Sequence, residues 1–200
     1  MALAEYESEW IFITVKRFFD LILGVVVFVL LVAPMLLIVI IIRLTSKGSA
    51  VYWSDRVGKN NKIFKMPKFR SMLVDTPAVA THLLDNPGSY LSPIGGFLRL
   101  SSLDELPQLF SILKGDMSFV GPRPALYNQE DLIVLRTEKG VDKLLPGITG
   151  WAQVNGRDEL SIPDKVALDT EYLNRQSFWF DMKILWMTFL KVIKRDGVSH

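Results

Sequence analysis

Two adjacent acidic residues, Asp104 and Glu105, offer the clearest chemistry in this sequence. A carboxylate can attack as a nucleophile, accept a proton or bind a hard cation such as Mg²⁺. The chain contains no cysteine, which excludes disulfides, thiolate metal sites and a cysteine nucleophile. Its two histidines, His82 and His200, are too few for a histidine-rich metal site. Nucleophilic and acid–base work therefore falls mainly to carboxylates.

The segment around the acidic pair is compatible with two local structures. Ser102 stands three residues before Glu105, a capping-box pattern that starts a helix at Ser102 and leaves the acids to complement its dipole. Pro107 would then fall in the second turn, where it leaves the Leu103 carbonyl without its usual donor. A helix that begins near Pro107 would instead let both acids project from the preceding turn. In either case the acids lie at a helix start, where phosphate groups and metal ions are also well placed.

Several basic side chains lie in turn-rich segments or at the ends of predicted elements. Arginine suits bidentate phosphate binding and lysine supplies a point charge, although unrelated surface cations would look the same in the sequence. With 23 basic and 21 acidic residues the chain carries a net charge of +2, so no nucleic-acid partner is predicted. The candidate phosphate-binding cations are Lys68, Arg70, Arg99, Arg123 and Arg157.

An uncharged, apolar run from Leu21 to Ile42 must position these groups relative to a membrane. As a helix it would be roughly 33 Å long, which is enough to cross a bilayer core. Pro34 lies in its middle and removes a backbone donor, and basic residues flank both ends, so the positive-inside rule gives no orientation. The run predicts either one spanning helix or a helix broken at Pro34 that re-enters the side from which it came. By itself it leaves these alternatives open.

The rest of the chain has the character of a soluble α/β unit, mainly helical with a small β-hairpin. Loose alternation around Gly58-Lys59-Asn60-Asn61 predicts hairpin strands at Val51–Arg56 and Ile63–Phe69. We expect residues 1–47 to form the membrane segment and residues 48–200 the catalytic unit. The other predicted elements are a helix, break and helix over Gly95–Lys114, helices at Glu130–Leu144 and Pro163–Asn174, a short strand at Trp151–Val154 and a C-terminal helix.

The C-terminal helix mixes aromatic and basic residues at helical spacing, including Trp179, Lys183, Trp186 and Phe189. This pattern suits the headgroup region of a bilayer, and packing against a protein core would produce a similar pattern. We expect the helix to lie at the membrane surface.

Two long motifs resemble a known family. Ser102–Pro124 (SLDELPQLFSILKGDMSFVGPRP) and Leu145–Arg157 (LPGITGWAQVNGR) are similar to the monotopic phosphoglycosyl transferases, also called bacterial sugar transferases. The similarity runs from about Lys16 to Val198, as in the small members that comprise just the catalytic core. Where the family commonly has Ser-Pro in its membrane helix, this chain has Ala33-Pro34.

The resemblance implies a two-step transfer at the cytoplasmic face of the bacterial inner membrane. Asp104 would attack the β-phosphorus of a UDP-sugar, release UMP and carry the sugar phosphate until undecaprenyl phosphate accepts it. Glu105 would help as a Mg²⁺ ligand together with Asp104, or as a base. Because both substrates meet on the cytoplasmic side, the resemblance favours the re-entrant hairpin. The residues carried over for substrate binding are Lys68, Arg70, Arg99, Arg123, Arg157 and Asp169.

The resemblance also suggests an N-acetylated amino sugar as donor, the first membrane step of glycoconjugate synthesis as role, and downstream glycosyltransferases as partners. A catalytically silent, membrane-anchored scaffold would keep the hairpin but need no acidic pair. A metal-dependent phosphohydrolase would cleave the same diphosphate but would have little use for a membrane anchor. Sequence alone does not give the oligomeric state.

Overall fold

The longest element of the fold is helix α1, which runs from Ala2 to Thr45. In this computed structural model the described residues are 2–77, 84–156 and 160–194, with side chains described from residue 11 to residue 192 within those ranges. Three residues discussed above, His82, Arg157 and His200, lie outside them.

Helix α1 continues through Pro34, where the sequence predicted a break into two helices. A re-entrant hairpin is therefore not confirmed. From Ile11 to Thr45 the helix is long and apolar enough to cross a membrane, and an 18-residue stretch within it has a mean hydropathy of 3.5. It is the one such helix in the described part of the chain. Its exposed side chains include Val25, Val29, Leu30, Leu36, Leu37 and Ile40.

Both ends of this apolar segment pack against the rest of the chain. Near the N-terminal end, the Arg17 guanidinium donates to the carbonyls of Ile112 at 2.6 Å and Leu113 at 2.9 Å. Near the C-terminal end, Ile42 is fully buried in an apolar cluster with Phe69. Helix α1 is thus seated on the remainder of the fold along most of its length.

The β-hairpin predicted from the alternating pattern is confirmed. Strand β1 (Val51–Val57) pairs antiparallel with β2 (Ile63–Phe69), with Val51 opposite Phe69 and Val57 opposite Ile63. Because side chains alternate along a strand, Arg56 and Lys68 project from the same face of the hairpin. That face lies toward the acidic pair.

A second, smaller sheet forms where the sequence predicted otherwise. Strand β3 (Ser118–Val120) pairs in parallel with β4 (Gly147–Thr149). The strand predicted at Trp151–Val154 is wrong, because this segment is helix α5 (Trp151–Asn155). β3 instead pairs with Gly147–Thr149, the Gly-Ile-Thr segment just before α5. The chain then starts a helical turn at Gly150, whose carbonyl accepts a hydrogen bond from the Val154 amide.

The remaining helices follow the sequence pattern closely. Gly115, with φ of 99°, ends the helix before it in the left-handed conformation that glycine tolerates best. Ser161 caps the start of the helix Ile162–Arg175 by accepting a hydrogen bond from the Asp164 amide. These helices are α2 (Gly95–Leu100), α3 (Gln108–Lys114), α4 (Glu130–Glu138), α6 (Ile162–Arg175) and α7 (Phe178–Lys194). The fold is mostly helical with two small sheets, as the sequence predicted in outline.

Candidate active site

The acidic pair lies in a single 3₁₀ turn, Leu103–Glu105, ahead of helix α3. Ser102 adopts the left-handed conformation, with φ of 56° and ψ of 16°, and its side chain caps no backbone amide. Helix α3 begins at Gln108, directly after Pro107. The capping-box interpretation is therefore wrong, and the later helix start is confirmed. Pro107 costs this helix nothing, because its missing amide falls where no helical bond is made.

Glu105 is held by two cations from different elements. Its Oε1 atom accepts from Lys68 Nζ on β2 at 2.7 Å and from Arg123 Nη2 at 2.9 Å. Burial alone would raise the pKa of this carboxyl, but the charges and hydrogen bonds of Arg123 and Lys68 outweigh it and hold the pKa well below its usual value. Glu105 is thus a fixed anion that gathers two positive charges beside Asp104.

Asp104 has a different environment from its neighbour. Only 9% of the residue is exposed, and the described residues form no ion pair with it. Burial raises the pKa of its carboxyl, the Glu105 charge adds to this, and Lys68, Arg99 and Arg123 reduce the effect without reversing it. A carboxylate that makes no ion pair with a side-chain cation keeps its oxygens available to an incoming phosphorus atom or metal ion.

Arg123 owes its position to a tightly packed loop, Gly121–Pro124, that follows β3. The Gly121 amide donates to the Thr149 carbonyl and the Gly147 amide donates to the Pro122 carbonyl, both at 2.9 Å. A side chain at Gly121 or Gly147 would collide with the facing backbone. Glycine at both positions is therefore what allows the two chains to approach this closely.

A family model described as "Bacterial sugar transferase" matches residues 11–195. The chain belongs to the bacterial sugar transferase family. The undecaprenyl-phosphate glucose phosphotransferase of Komagataeibacter xylinus is 38% identical over 209 residues, which cover 96% of this chain and 37% of that protein. The undecaprenyl-phosphate galactose phosphotransferase of Salmonella typhimurium is 36% identical over 201 residues, which cover 91% of this chain and 41% of that protein. An uncharacterized sugar transferase of Bacillus subtilis is 39% identical over 188 residues, which cover 92% and 90%.

These relatives confirm the family predicted from the two long motifs. The match to the first two covers only about two fifths of each relative, so what their names describe is carried to this transferase only as a proposal. The match extends over nearly the whole of the Bacillus subtilis protein.

The structure brings some of the predicted substrate-binding residues to the acidic pair and leaves others elsewhere. Lys68 and Arg123 contact Glu105 directly, and Arg99 on α2 lies close enough for its charge to oppose the rise that burial causes in the pKa of Asp104. Arg70 instead donates to the Ser49 carbonyl at 2.6 Å, in the connection between α1 and β1. Arg157 lies outside the described residues.

Asp169, the remaining predicted residue, lies deep in the fold. It is 1% exposed and pairs with Arg136, whose Nε and Nη2 both donate to Asp169 Oδ2, at 3.0 and 2.6 Å. Burial raises the pKa of this carboxyl and the Arg136 pairing opposes that effect. Among the described residues, Asp169 bonds to none of the other predicted site residues, and its connection to Arg123 runs through Arg136.

Two site residues were missed by sequence reasoning. Arg56 and Gln108 line a small cavity together with Arg123. Burial, followed by the Arg123 charge, lowers the Arg56 pKa to about 10, so the guanidinium stays charged at neutral pH. The signal for Arg56 was present in the hairpin register, because strand alternation places it on the same face as Lys68. Gln108 gave no comparable signal.

A second, larger cavity, which is open to solvent, is also lined by Arg123. Its walls come from the end of β1, from the Gly121–Pro124 loop and from residues 141–146. Arg123 thus lines both cavities while its guanidinium reaches Glu105. One cationic side chain could in this way contact two parts of an extended phosphate-containing ligand.

The described residues contain no group of three or more carboxylate or histidine side chains placed as a metal site. Asp104 and Glu105 nevertheless offer hard oxygen ligands of the type that Mg²⁺ prefers. Asp104 has no cation paired with it among the described residues, so its carboxylate fits this role. Mg²⁺ is commonly bound by one or two carboxylates plus substrate phosphates, and a site with two acids meets that requirement.

Proposed function

We propose that this transferase moves a sugar-1-phosphate from a UDP-sugar to undecaprenyl phosphate and releases UMP. The observation that carries the proposal is the contrast within the acidic pair. Glu105 is neutralised by Lys68 and Arg123, whereas Asp104 is shielded from water and forms no ion pair with another described residue. Relatives named as undecaprenyl-phosphate glucose and galactose phosphotransferases support the same reaction class.

The first step uses Asp104 as the nucleophile. One carboxylate oxygen forms a bond to the β-phosphorus, the bond from that phosphorus to the bridging oxygen breaks, and UMP leaves with that oxygen and its electron pair. In the second step a phosphate oxygen of undecaprenyl phosphate attacks the same phosphorus, and the Asp104 carboxylate leaves. The acyl phosphate is a reactive donor, so one difficult transfer becomes two easier ones.

The surrounding cations offset the repulsion between two anions. Lys68 and Arg123 already face Glu105, and Arg56 and Arg99 add positive charge nearby. Such fixed charges stabilise a developing phosphoryl transition state without reorganising during the step. Mg²⁺, held by Asp104 and Glu105, would supply further neutralisation of the diphosphate.

The contacts of α1 with the rest of the chain support one membrane arrangement. Arg17 and Ile42 both contact the same catalytic unit, yet they are 25 positions apart, roughly 38 Å along a helix. A helix that crossed the bilayer would carry these two residues to opposite faces, where one unit could not reach both. We therefore propose that α1 does not cross the inner membrane, that both of its ends lie on the cytoplasmic side, and that the catalytic unit is in the cytoplasm.

The surface of α7 supports the same orientation. Trp179, Trp186 and Phe189 are 79%, 60% and 54% exposed, although aromatic side chains of this size are normally covered in a soluble fold. Exposed aromatic residues beside lysines suit the headgroup region, where the lipid phosphate acceptor is found. The helix would therefore rest on the bilayer and hold the acidic pair near the interface.

The sugar is the least constrained part of the proposal. The sequence predicts an N-acetylated amino sugar, whereas the names of two relatives contain glucose and galactose. Both classes share the diphosphate that Asp104 would attack, so the chemistry of the pair does not distinguish them. We keep the amino sugar as the prediction and test it against the two hexoses.

The test measures UMP release by the protein in nanodiscs with Mg²⁺ and undecaprenyl phosphate. The donors are UDP-N-acetylglucosamine, UDP-N-acetylgalactosamine, UDP-glucose and UDP-galactose. UMP release that requires the lipid supports the transferase and identifies the sugar. Equal release without lipid would indicate a phosphohydrolase, and no release with any of the four donors would favour a silent scaffold.

A further inference from the structure

The Gly121–Pro124 loop is held from behind by a buried arginine. Arg136 on α4 donates from Nη1 to the Arg123 carbonyl at 2.8 Å. The same guanidinium donates from Nε and Nη2 to Asp169 Oδ2 on α6. Three N–H bonds of one side chain therefore tie two helices to the backbone of the residue whose side chain reaches Glu105.

Asp169 is poorly placed to touch a substrate. It is 1% exposed, and its Oδ2 atom is occupied by two bonds from Arg136. Arg136 is also buried, at 8% exposure, although it lines the larger cavity beside Arg123. A carboxylate in this setting can fix the orientation of its arginine but cannot reach a ligand without displacing it.

We propose that Asp169 and Arg136 are positioning residues, which act by fixing the backbone of Arg123 and thereby its contact with Glu105. Asp169 then acts as a positioning residue and does not bind substrate, as the sequence had predicted it would. The expected loss of activity rests on the function proposed above. Asp169 fixes the orientation of the Arg136 guanidinium, and the guanidinium in turn fixes the position of the Arg123 carbonyl. Displacing a charged group at a reaction centre by about 1 Å can reduce activity about 100-fold.

A second arginine holds the next residue of the loop. Arg56 donates from Nη1 to the Pro124 carbonyl at 3.3 Å. The loop is thus fixed at consecutive carbonyls by arginines from β1 and α4. The Arg56 bond is the longer of the two, and Arg56 makes no ion pair with a described carboxylate, so we expect Arg136 to dominate.

The key variant is Arg136→Lys. Lysine keeps a positive charge for Asp169, but its single ammonium group cannot reproduce the planar fork that also reaches the Arg123 carbonyl. We expect the variant to fold and to lose roughly 10- to 100-fold in kcat/KM for the UDP-sugar. A merely structural ion pair would tolerate this change without loss of activity once the protein is folded.

A double-mutant cycle separates positioning from direct substrate contact. We compare kcat/KM of the wild type with that of three variants: Arg136→Gln, Asp169→Asn and the double variant. The double variant leaves no unpaired buried charge. If Asp169 acts only through Arg136, Asp169→Asn has less than about a 2-fold further effect when Arg136 is already glutamine. The matched control is Glu171→Gln with Arg175→Gln, an ion pair on the same helix with both partners more exposed.

Hydrogen exchange gives a measurement that does not depend on activity. Peptides covering residues 118–126 are followed in nanodiscs, and we expect faster exchange in the Arg136→Gln/Asp169→Asn protein and no change in the control. Unchanged exchange at this loop, or an additive loss of kcat/KM in the cycle, would overturn the positioning role. If the wild type released no UMP while the loop still responded, the transferase proposal alone would fail.

Discussion

Glu105 Oε1 and Arg123 Nη2 lie 2.9 Å apart although 18 positions separate the two residues in the chain. The contact closes the 3₁₀ turn that carries the acidic pair onto the loop after β3. Lys68 reaches the same oxygen from the hairpin, so three separate parts of the fold meet at one carboxylate. Glu105 therefore organises the site, and Asp104 is the acid left available for reaction.

Loss of the Asp104 carboxylate should abolish transfer while the fold survives. We expect Asp104→Asn to reduce kcat on the order of 10³-fold or more, because the neighbouring acid, Glu105, is held by Lys68 and Arg123. The measurement is UMP release at saturating donor and lipid. Asp116→Asn is the control, since Asp116 pairs with exposed Lys114 away from the acidic pair. Comparable activity in the Asp104 and Asp116 variants would contradict the nucleophile assignment.

The same substitution should raise stability at neutral pH. Burial raises the pKa of Asp104, so the folded state binds its proton more tightly than the unfolded chain does, and ionisation costs folding free energy. This cost is absent in acid and appears as the pH rises through the folded pKa. We expect Asp104→Asn to stabilise the protein by about 1 kcal/mol at pH 7, with the gain disappearing toward acidic pH. Thermal unfolding at both pH values measures this, and a destabilised variant at pH 7 would disagree.

Lys68→Met should destabilise the fold by removing one of the two cations on Glu105. We expect a loss of about 1–3 kcal/mol, because the bond joins two charged and largely buried groups. The depressed pKa of Glu105 contributes stability that is complete above its unfolded pKa of about 4.3 and declines as the pH falls. The difference between variant and wild type should therefore narrow in acid.

Lys65→Met provides the matched control for Lys68. Lys65 lies on the same strand and pairs with Asp55, but its side chain is 68% exposed, so we expect an effect below about 0.5 kcal/mol. Denaturant unfolding at pH 7 compares the two variants directly. Equal losses from both would show that the Glu105 contact contributes no more than a surface ion pair.

Much of this arrangement could be predicted from the sequence because the signals are local. Alternation and a Gly-Lys-Asn-Asn turn predicted the hairpin, and Pro107 indicated where α3 begins. The helix at Trp151–Asn155 was missed because the strand in this region is Gly147–Thr149. That segment forms a strand only by pairing with β3, which is distant in sequence. The role of Arg136 was invisible for the same reason, since its three bonds all reach residues that are far along the chain.

Close backbone approach at the Gly121–Pro124 loop should make Gly147→Ala damaging. The new methyl group would collide with the Gly121 backbone, and we expect a loss of about 1–3 kcal/mol together with reduced kcat/KM. Gly96→Ala is the control, because the nearest atom to its added carbon is Leu91 Cδ1 at 3.8 Å. Thermal unfolding and UMP release should separate the two, and a neutral Gly147→Ala would show that the loop is free to shift.

The orientation of α1 can be tested with single cysteines, because the chain has none of its own. Ser8→Cys and Ser49→Cys place one thiol on either side of the apolar segment. If α1 re-enters the cytoplasm, a membrane-impermeant maleimide labels neither thiol in intact cells and both in inverted vesicles. Labelling of one thiol from outside intact cells would establish a spanning helix instead.

The most direct measurement is intact-protein mass spectrometry after mixing the enzyme with its UDP-sugar in the absence of lipid acceptor. We expect a covalent adduct of the mass of the sugar phosphate, mapped to Asp104, formed together with up to one equivalent of UMP and lost when undecaprenyl phosphate is added. Asp104→Asn should form no adduct. Lipid-dependent transfer by a wild-type enzyme that never carries the adduct would contradict the role assigned to Asp104.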